Sequence, residues 1–269
     1  MTAMPPTCRT PATALLRWLT LLALALPLPS WSADDLAWTR VRKAVFGERP
    51  LLEDPSVLSL DAPERAEDAS MVPVALRVGP RGTVLRTLWL VVDDNPSPLA
   101  ARFTLHDAVV GSIETRIRVE RYTPVRAVGE TGDGRLFMAT RFVRAAGGCS
   151  APAGPGGDDD ALGRMSLRRF GTASGGRAET ELRIRHPNHS GLEIELDSRG
   201  YIAADYVRTV TVRQDGQPLL DAVLDISISR NPYLRFGVAA GAQTLDAQVR
   251  DSRGRDFRAR WPSDEPRPP

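Results

Sequence analysis

The clearest period in this chain lies in GSIETRIRVE, residues 111–120. Ile113, Thr115, Ile117 and Val119 fall on one face, and Glu114, Arg116, Arg118 and Glu120 on the other. A repeat of two is the mark of a strand with one face in a core and one in water. Around it stand VPVALRV (72–78), VLRTLWLVV (84–92) and ARFTLHDA (101–108), short apolar runs bounded by turns. Gly132-Asp133-Gly134 marks a hairpin into LFMATRFVRA. About six strands in roughly 75 residues is the spacing of an antiparallel sandwich. A second strand-rich block begins at TELRIRH, where Leu182 and Ile184 alternate with Glu181, Arg183 and Arg185. GLEIEL (191–196), DYVRTVTVRQ (205–214), PLLDAVL (218–224), YLRFGVAA (233–240), TLDAQVRD (244–251) and DFRARW (256–261) continue it, with a hairpin at Asp215-Gly216. This predicts a second sandwich of about 85 residues.

A helical period precedes the strands. In DDLAWTRVRKAVF (34–46), Trp38, Val41 and Val45 recur at i, i+3 and i+7, with Asp34 as the N-cap. Between the two blocks the composition turns to Gly, Ala, Pro, Asp and Ser, which predicts a flexible linker over 150–176, with some order near Met165 to Phe170. The fold class is therefore all-β with a short N-terminal helix, organised as a first sandwich over 33–149, the linker, a second sandwich over 177–263 and a disordered tail over 264–269.

The first 32 residues change the compartment. Arg9 and Arg17 precede the apolar run LTLLALALPLP, and Ser30-Trp31-Ser32 offers small residues at the positions a signal peptidase inspects. The run is too short, and too broken by Pro27 and Pro29, to span a bilayer. Residues 1–32 read as a signal peptide cleaved before Ala33, which delivers a soluble protein to the periplasm. Cleavage removes two of the 35 basic side chains and no acidic one, leaving 33 against 33. A near-neutral chain carries no charge signal for nucleic acid or a membrane surface.

Cleavage also removes Cys8 and leaves Cys149 as the one cysteine. An odd cysteine in an oxidising compartment has no internal partner; it pairs with another molecule or serves as a reactive thiol. Its setting, AAGGCSAPAGPGGDDD (145–160), has almost no bulky apolar residue to bury it, and Gly147 and Gly148 give a backbone that fits a narrow channel. A cation such as Arg144 would be needed to depress its pKa. The other chemistry-bearing residues read as structure. His186 and His189 lie in the turn HPNHSG without a further ligand, His106 is alone on a strand, and the Asn188-His189-Ser190 sequon is fortuitous. Asp158, Asp159 and Asp160 lack calcium-loop spacing. No phosphate loop, dinucleotide fingerprint or haem-attachment motif is present, so no cofactor and no metal site is expected, and a carrier or binding role is favoured over an enzyme.

With these residues assembled, the chain resembles a fusion of the two subunits of the sulfur-oxidation carrier SoxYZ. RAEDASMVPVALRV (65–78), VVDDNPSPLAARF (91–103), SIETRIRV (112–119), TPVRAV (123–128) and the terminal GGC resemble SoxY. IRHPNHSGL (184–192), the stretch from Tyr201 to Phe236, and DSRGRDF (251–257) resemble SoxZ. More narrowly, it resembles the fused carriers associated with quinoprotein dehydrogenases, periplasmic proteins linked with PQQ-dependent alcohol oxidation. The resemblance implies two immunoglobulin-like sandwiches packed face to face and a swinging arm. Gly147 and Gly148 would form the arm and Cys149 would hold a sulfur intermediate covalently for partner redox enzymes, such as a PQQ-dependent dehydrogenase or c-type cytochrome. One departure stands out: the family cysteine lies next to a free chain end, in GGCGG, whereas Ser150-Ala151-Pro152 follows Cys149 here and the chain continues. Two other readings stay open. One is a non-covalent accessory module in which Cys149 is dispensable. The other is a thiol enzyme with His186 or His189 as base.

Overall fold

The computed structural model describes residue 2 and residues 33–80, 85–107, 110–152, 161–173, 177–195, 199–239, 241–242 and 244–262. Apart from residue 2, the segment read as a signal peptide lies outside the described residues, as do the Asp158–Asp160 run and the tail over 264–269. Among those described, no helix is long and apolar enough to cross a membrane.

The chain opens with helix α1 (Ala33–Val45), so Asp34 lies in the first turn rather than at the cap. The first half then supplies β1 (Leu51–Leu52), β2 (Leu58–Asp61), β3 (Val72–Val78), β4 (Leu85–Val92), β5 (Leu99–Leu105), β6 (Ile113–Ile117), β7 (Thr123–Thr131) and β8 (Leu136–Val143). The second half supplies β9 (Met165–Ala173), β10 (Arg177–Ile184), β11 (Val207–Gln214), β12 (Gln217–Leu224), β13 (Tyr233–Ala239), β14 (Thr244–Asp251) and β15 (Asp256–Pro262). The β6 alternation holds: Ile113, Thr115 and Ile117 are buried and Glu114 and Arg116 half-buried.

The segment expected to be a flexible linker contains β9. It pairs antiparallel with β10 from Met165 opposite Ile184 to Ala173 opposite Arg177, with a bulge at Ala178/Glu179. Met165 and Leu167 pack against the core. The adjacent Arg168 and Arg169 obscure the alternation in the sequence.

The halves meet edge to edge, not face to face. One sheet runs β1-β8-β7-β4-β5-β12-β11-β14-β15 and the other β2-β3-β6-β13-β10-β9. In the first, β5 pairs with β12 over five residues, from Ala101 opposite Leu224 to Leu105 opposite Leu220. In the second, Glu114 of β6 faces Arg235 of β13, and Ile117 makes a further bridge to Ile228. Each half alone would leave these strands as open edges with unpaired N–H and C=O groups. Joining them satisfies those groups and makes one continuous two-layer core. Phe103 from the first half and Phe236 from the second are both fully buried in it.

A smaller apolar cluster fixes α1 to the outside of the larger sheet. Phe46 stacks edge-on against Trp89 at 5.3 Å, and Arg126 lies over the Trp38 ring at 4.4 Å. Val128 and Leu136 complete the buried part.

A shared core predicts shared unfolding. Tryptophan fluorescence samples Trp38 and Trp89 in one half and Trp261 in the other. In denaturant titration it is expected to report one transition, coincident with far-ultraviolet circular dichroism. Phe103→Ala is expected to lower that single transition by about 3–5 kcal/mol. Two separated transitions would mean that the halves are independent.

Candidate functional site

The site forms where the chain leaves β6. Residues 118–120 run between the halves: Arg118 N donates to Ser227 O (2.7 Å), Val119 N to Ala69 O (2.8 Å) and Glu120 N to Asn95 Oδ1 (2.9 Å). Asn95, buried, also donates through Nδ2 to Arg118 O (2.7 Å) and Ser227 Oγ (2.9 Å), so one amide ties both halves to this segment. Its neighbour Asp93 is held by the Arg126 guanidinium at 2.8 Å. The VDDNPSP stretch is therefore a brace beneath the site.

The GGC segment docks on this platform. Gly147 N donates to Glu120 O (3.0 Å) and Gly148 N to Val119 O (2.9 Å). Gly147 has φ +79°, a conformation that side chains rarely adopt. At Gly148 a Cβ would stand 2.0 Å from the Ala69 carbonyl oxygen and 2.7 Å from Val119 N. Only glycine admits this approach, so Gly148 serves the docked arm directly. Cys149 N and Ser150 N donate to Glu120 Oε2 (2.8 and 3.1 Å), and Ser150 Oγ to Oε1 (2.9 Å). From the second half, Ser190 Oγ donates to Cys149 O (2.6 Å).

The result differs from an exposed arm. Cys149 is fully buried. Its own neighbours are small, but Glu120, Arg118 and Glu193 come from elsewhere to act on the thiol, and Ser190 bonds its carbonyl. Burial pushes the thiol up to about 12, the Glu120 and Glu193 carboxylates act in the same direction, and Arg118 opposes them. The cation at the thiol is thus Arg118; Arg144 is spent on Glu64 at the surface.

Arg118 also departs from the period-two pattern. It is 3% exposed, not in water. Beyond the end of β6 its guanidinium turns under the second half, donating to Ile228 O (2.8 Å), Ile226 O (3.2 Å) and Glu193 Oε1 (2.9 Å). Glu193 Oε2 in turn bonds His189 Nδ1.

His186 and His189 do not converge. His186 is buried, with Nδ1 accepting from Asn188 N (3.0 Å), and burial lowers its pKa. Its Nε2 lies 3.6 Å from both Asp205 Oδ1 and Asp251 Oδ2. That trio has metal-like spacing. However, Arg255 already bonds both Asp205 oxygens (2.5 and 2.7 Å) and Asp251, and Arg253 reaches Asp205 at 3.1 Å. Two guanidiniums neutralise two carboxylates, so a divalent cation would face an already compensated cluster. Among the described residues no hydrogen bond joins either histidine to the thiol; His186 Nδ1 is taken by Asn188 N and His189 Nδ1 by Glu193. Asn188 is buried with Nδ2 on Ile228 O and Oδ1 on Val207 N, so the sequon is closed to modification. His106 pairs with Asp221 across the β5–β12 seam at 2.6 Å.

Glu120, Arg118, Glu193, Ser190 and Asn95 are the site residues that sequence reasoning passes over. Ser190 and Asn95 sit inside the quoted motifs RHPNHSG and VDDNPSP, which is a usable signal; Glu120 looks like one more solvent-facing charge.

Comparison with known proteins is consistent with this geometry. The family model "Sulfur oxidation protein SoxY" matches residues 42–149, ending on Cys149, and "Sulphur oxidation protein SoxZ" matches residues 168–262. A search of the curated proteins found no match. Among solved structures, the sulfur carrier protein SoxY from Chlorobium limicola f thiosulfatophilum is 25% identical, covering 43% of this chain and 100% of its own, with a TM-score of 0.38. The assignment rests on the two family matches, not on that superposition.

The buried thiol sets a pH signature. A thiol whose folded pKa is raised favours the docked, protonated form; that preference is complete below the ordinary cysteine value and is lost as pH rises toward 12. Alkylation of Cys149 by iodoacetamide is therefore expected to keep rising beyond pH 9, where a free thiol levels off. Gly148→Ala, which cannot dock without moving Ala69, is expected to speed alkylation at pH 8 and shift the profile toward an ordinary cysteine. A wild-type plateau near pH 9 would show an undocked arm.

Proposed function

Because this chain belongs to the SoxYZ family of sulfur-oxidation carriers, with SoxY and SoxZ parts joined in one polypeptide, we propose that it is a periplasmic covalent carrier. It holds a sulfur-containing intermediate on Cys149 and presents it to partner redox enzymes. Carriers of this family work with redox enzymes and are not themselves catalysts. The observation that carries the reading is the position of Cys149. It closes the SoxY match and sits at the junction of the two halves, gripped by Glu120 from one and Ser190 from the other.

The chemistry divides into two states. Docked, the thiol is buried and protonated and is a poor nucleophile. Loading requires the arm to lift, with Gly147 able to change backbone conformation at low cost. Joining Sγ to the sulfur of a reduced donor forms one S–S bond, releases the two S–H protons and gives two electrons to the partner enzyme. Redocking then shields the adduct from solvent thiols. The arm is tethered at both ends, which favours partners with an open site over a deep, narrow channel. We place the protein with a PQQ-dependent alcohol dehydrogenase system, on the resemblance to fused carriers of that association.

The second reading, a non-covalent accessory module for such a dehydrogenase or its cytochrome, draws support from one observation: the thiol is fully buried and its pKa is raised. Cys149→Ser separates the two. The variant is expected to fold with unchanged circular dichroism and to lose all carrier-dependent turnover in a periplasmic extract from a strain lacking the native protein. Retained turnover, with co-purification of a quinoprotein dehydrogenase, would favour the accessory module.

A further inference from the structure

We propose that Glu120 is the positioning residue that latches the carrier arm, so that a partner must break its grip before Cys149 becomes reachable. The inference rests on the covalent-carrier reading and adds to it the group that controls access.

The single residue Glu120 holds the arm by its side chain and its backbone. Its carboxylate accepts three hydrogen bonds from two consecutive arm residues: Cys149 N at 2.8 Å, Ser150 N at 3.1 Å and Ser150 Oγ at 2.9 Å. Its own carbonyl accepts Gly147 N at 3.0 Å. Two successive backbone N–H groups aimed at one carboxylate oxygen make an anion nest, and bonds to a charged acceptor are stronger than neutral ones. Glu120 is itself fixed, because its N–H donates to Asn95 Oδ1 and Asn95 is anchored to Ser227 of the other half. The latch is thus mounted on the seam. The other arm hydrogen bonds among the described residues are neutral: Gly148 N to Val119 O and Ser190 Oγ to Cys149 O. Glu120 is also half-buried and Ser150 exposed, so a docking partner reaches the latch before it reaches the sulfur. While latched, the same carboxylate places a negative charge beside the thiol and disfavours the thiolate; opening removes the restraint and the charge together.

The test uses the full mature chain and second-order alkylation of Cys149 by iodoacetamide at pH 8. Glu120→Ala removes all three side-chain bonds and is expected to raise the rate by about tenfold or more. Glu120→Gln keeps an acceptor for the backbone N–H groups but loses the charge, and is expected to fall between Glu120→Ala and wild type. Glu130→Gln, a carboxylate paired with Arg49 away from the arm, is expected to leave the rate unchanged. An unchanged rate in a folded Glu120→Ala chain overturns the proposal, because a purely structural role would move the melting temperature without moving this rate. Should Glu120→Ala not fold, hydrogen exchange in the wild type decides: the Cys149 and Ser150 amides are expected to be strongly protected, and exchange at the rate of an open loop overturns the latch. Neither readout involves cargo. A latch that fails beside a sulfur-loaded Cys149 leaves the carrier reading intact, and a latch that holds on a chain never found loaded leaves the latch and removes the carrier.

Discussion

Edge-to-edge strand pairing between the halves is the constraint on which everything else depends. Pairing β5 with β12 and β6 with β13 turns two open-edged sandwiches into one two-layer body. It also brings the exit of β6 against the 226–229 segment, where Arg118 N meets Ser227 O and Ser229 N meets Arg116 O. The site lies on that seam. Without it Arg118 would have neither Glu193 nor the Ile226 and Ile228 carbonyls, and the arm would lack Ser190. Covalent fusion fits this arrangement, since it keeps the two partners of the seam at high effective concentration.

The seam imposes a charge balance. Burying Arg118 is costly, and the cost is offset by Glu193 and two backbone carbonyls rather than by water. Glu193 is in turn shared with His189. Cys149 joins this network as a neutral thiol, because burial and two carboxylates outweigh the one guanidinium. A carrier that rests protonated is protected from adventitious oxidation, since the thiolate is the reactive form. The docked state therefore favours storage over reaction, and reactivity becomes a matter of arm position rather than of a permanently activated sulfur.

Much of the fold is legible in the sequence because period-two patterns record faces. The β6 alternation, the hairpins at Asp133-Gly134 and Asp215-Gly216, and most strand positions follow from it. Such patterns do not record edges, which is why the joining of the sheets cannot be read from β5 or β12. β9 escapes because the Arg168-Arg169 pair and the Gly-rich surroundings break its alternation. At the site, the Gly-Gly-Cys motif marks the sulfur, but its composition misleads about burial: the groups that gather round Cys149, namely Arg118, Glu120, Ser190 and Glu193, are remote from it in sequence. Arg118 and Glu120 sit where the pattern assigns solvent, and only the path of the chain beyond Ile117 turns them inward.

Whether Cys149 bears sulfur cargo decides what the protein does. The most direct measurement is the intact mass of the protein isolated from its native cells without reductant, compared before and after reduction, with peptide mapping of any adduct. A carrier is expected to show a sulfur-containing adduct on Cys149 that reduction removes. A homogeneous free thiol that also stays unmodified with sulfide, with thiosulfate plus oxidant and with glutathione disulfide would contradict it.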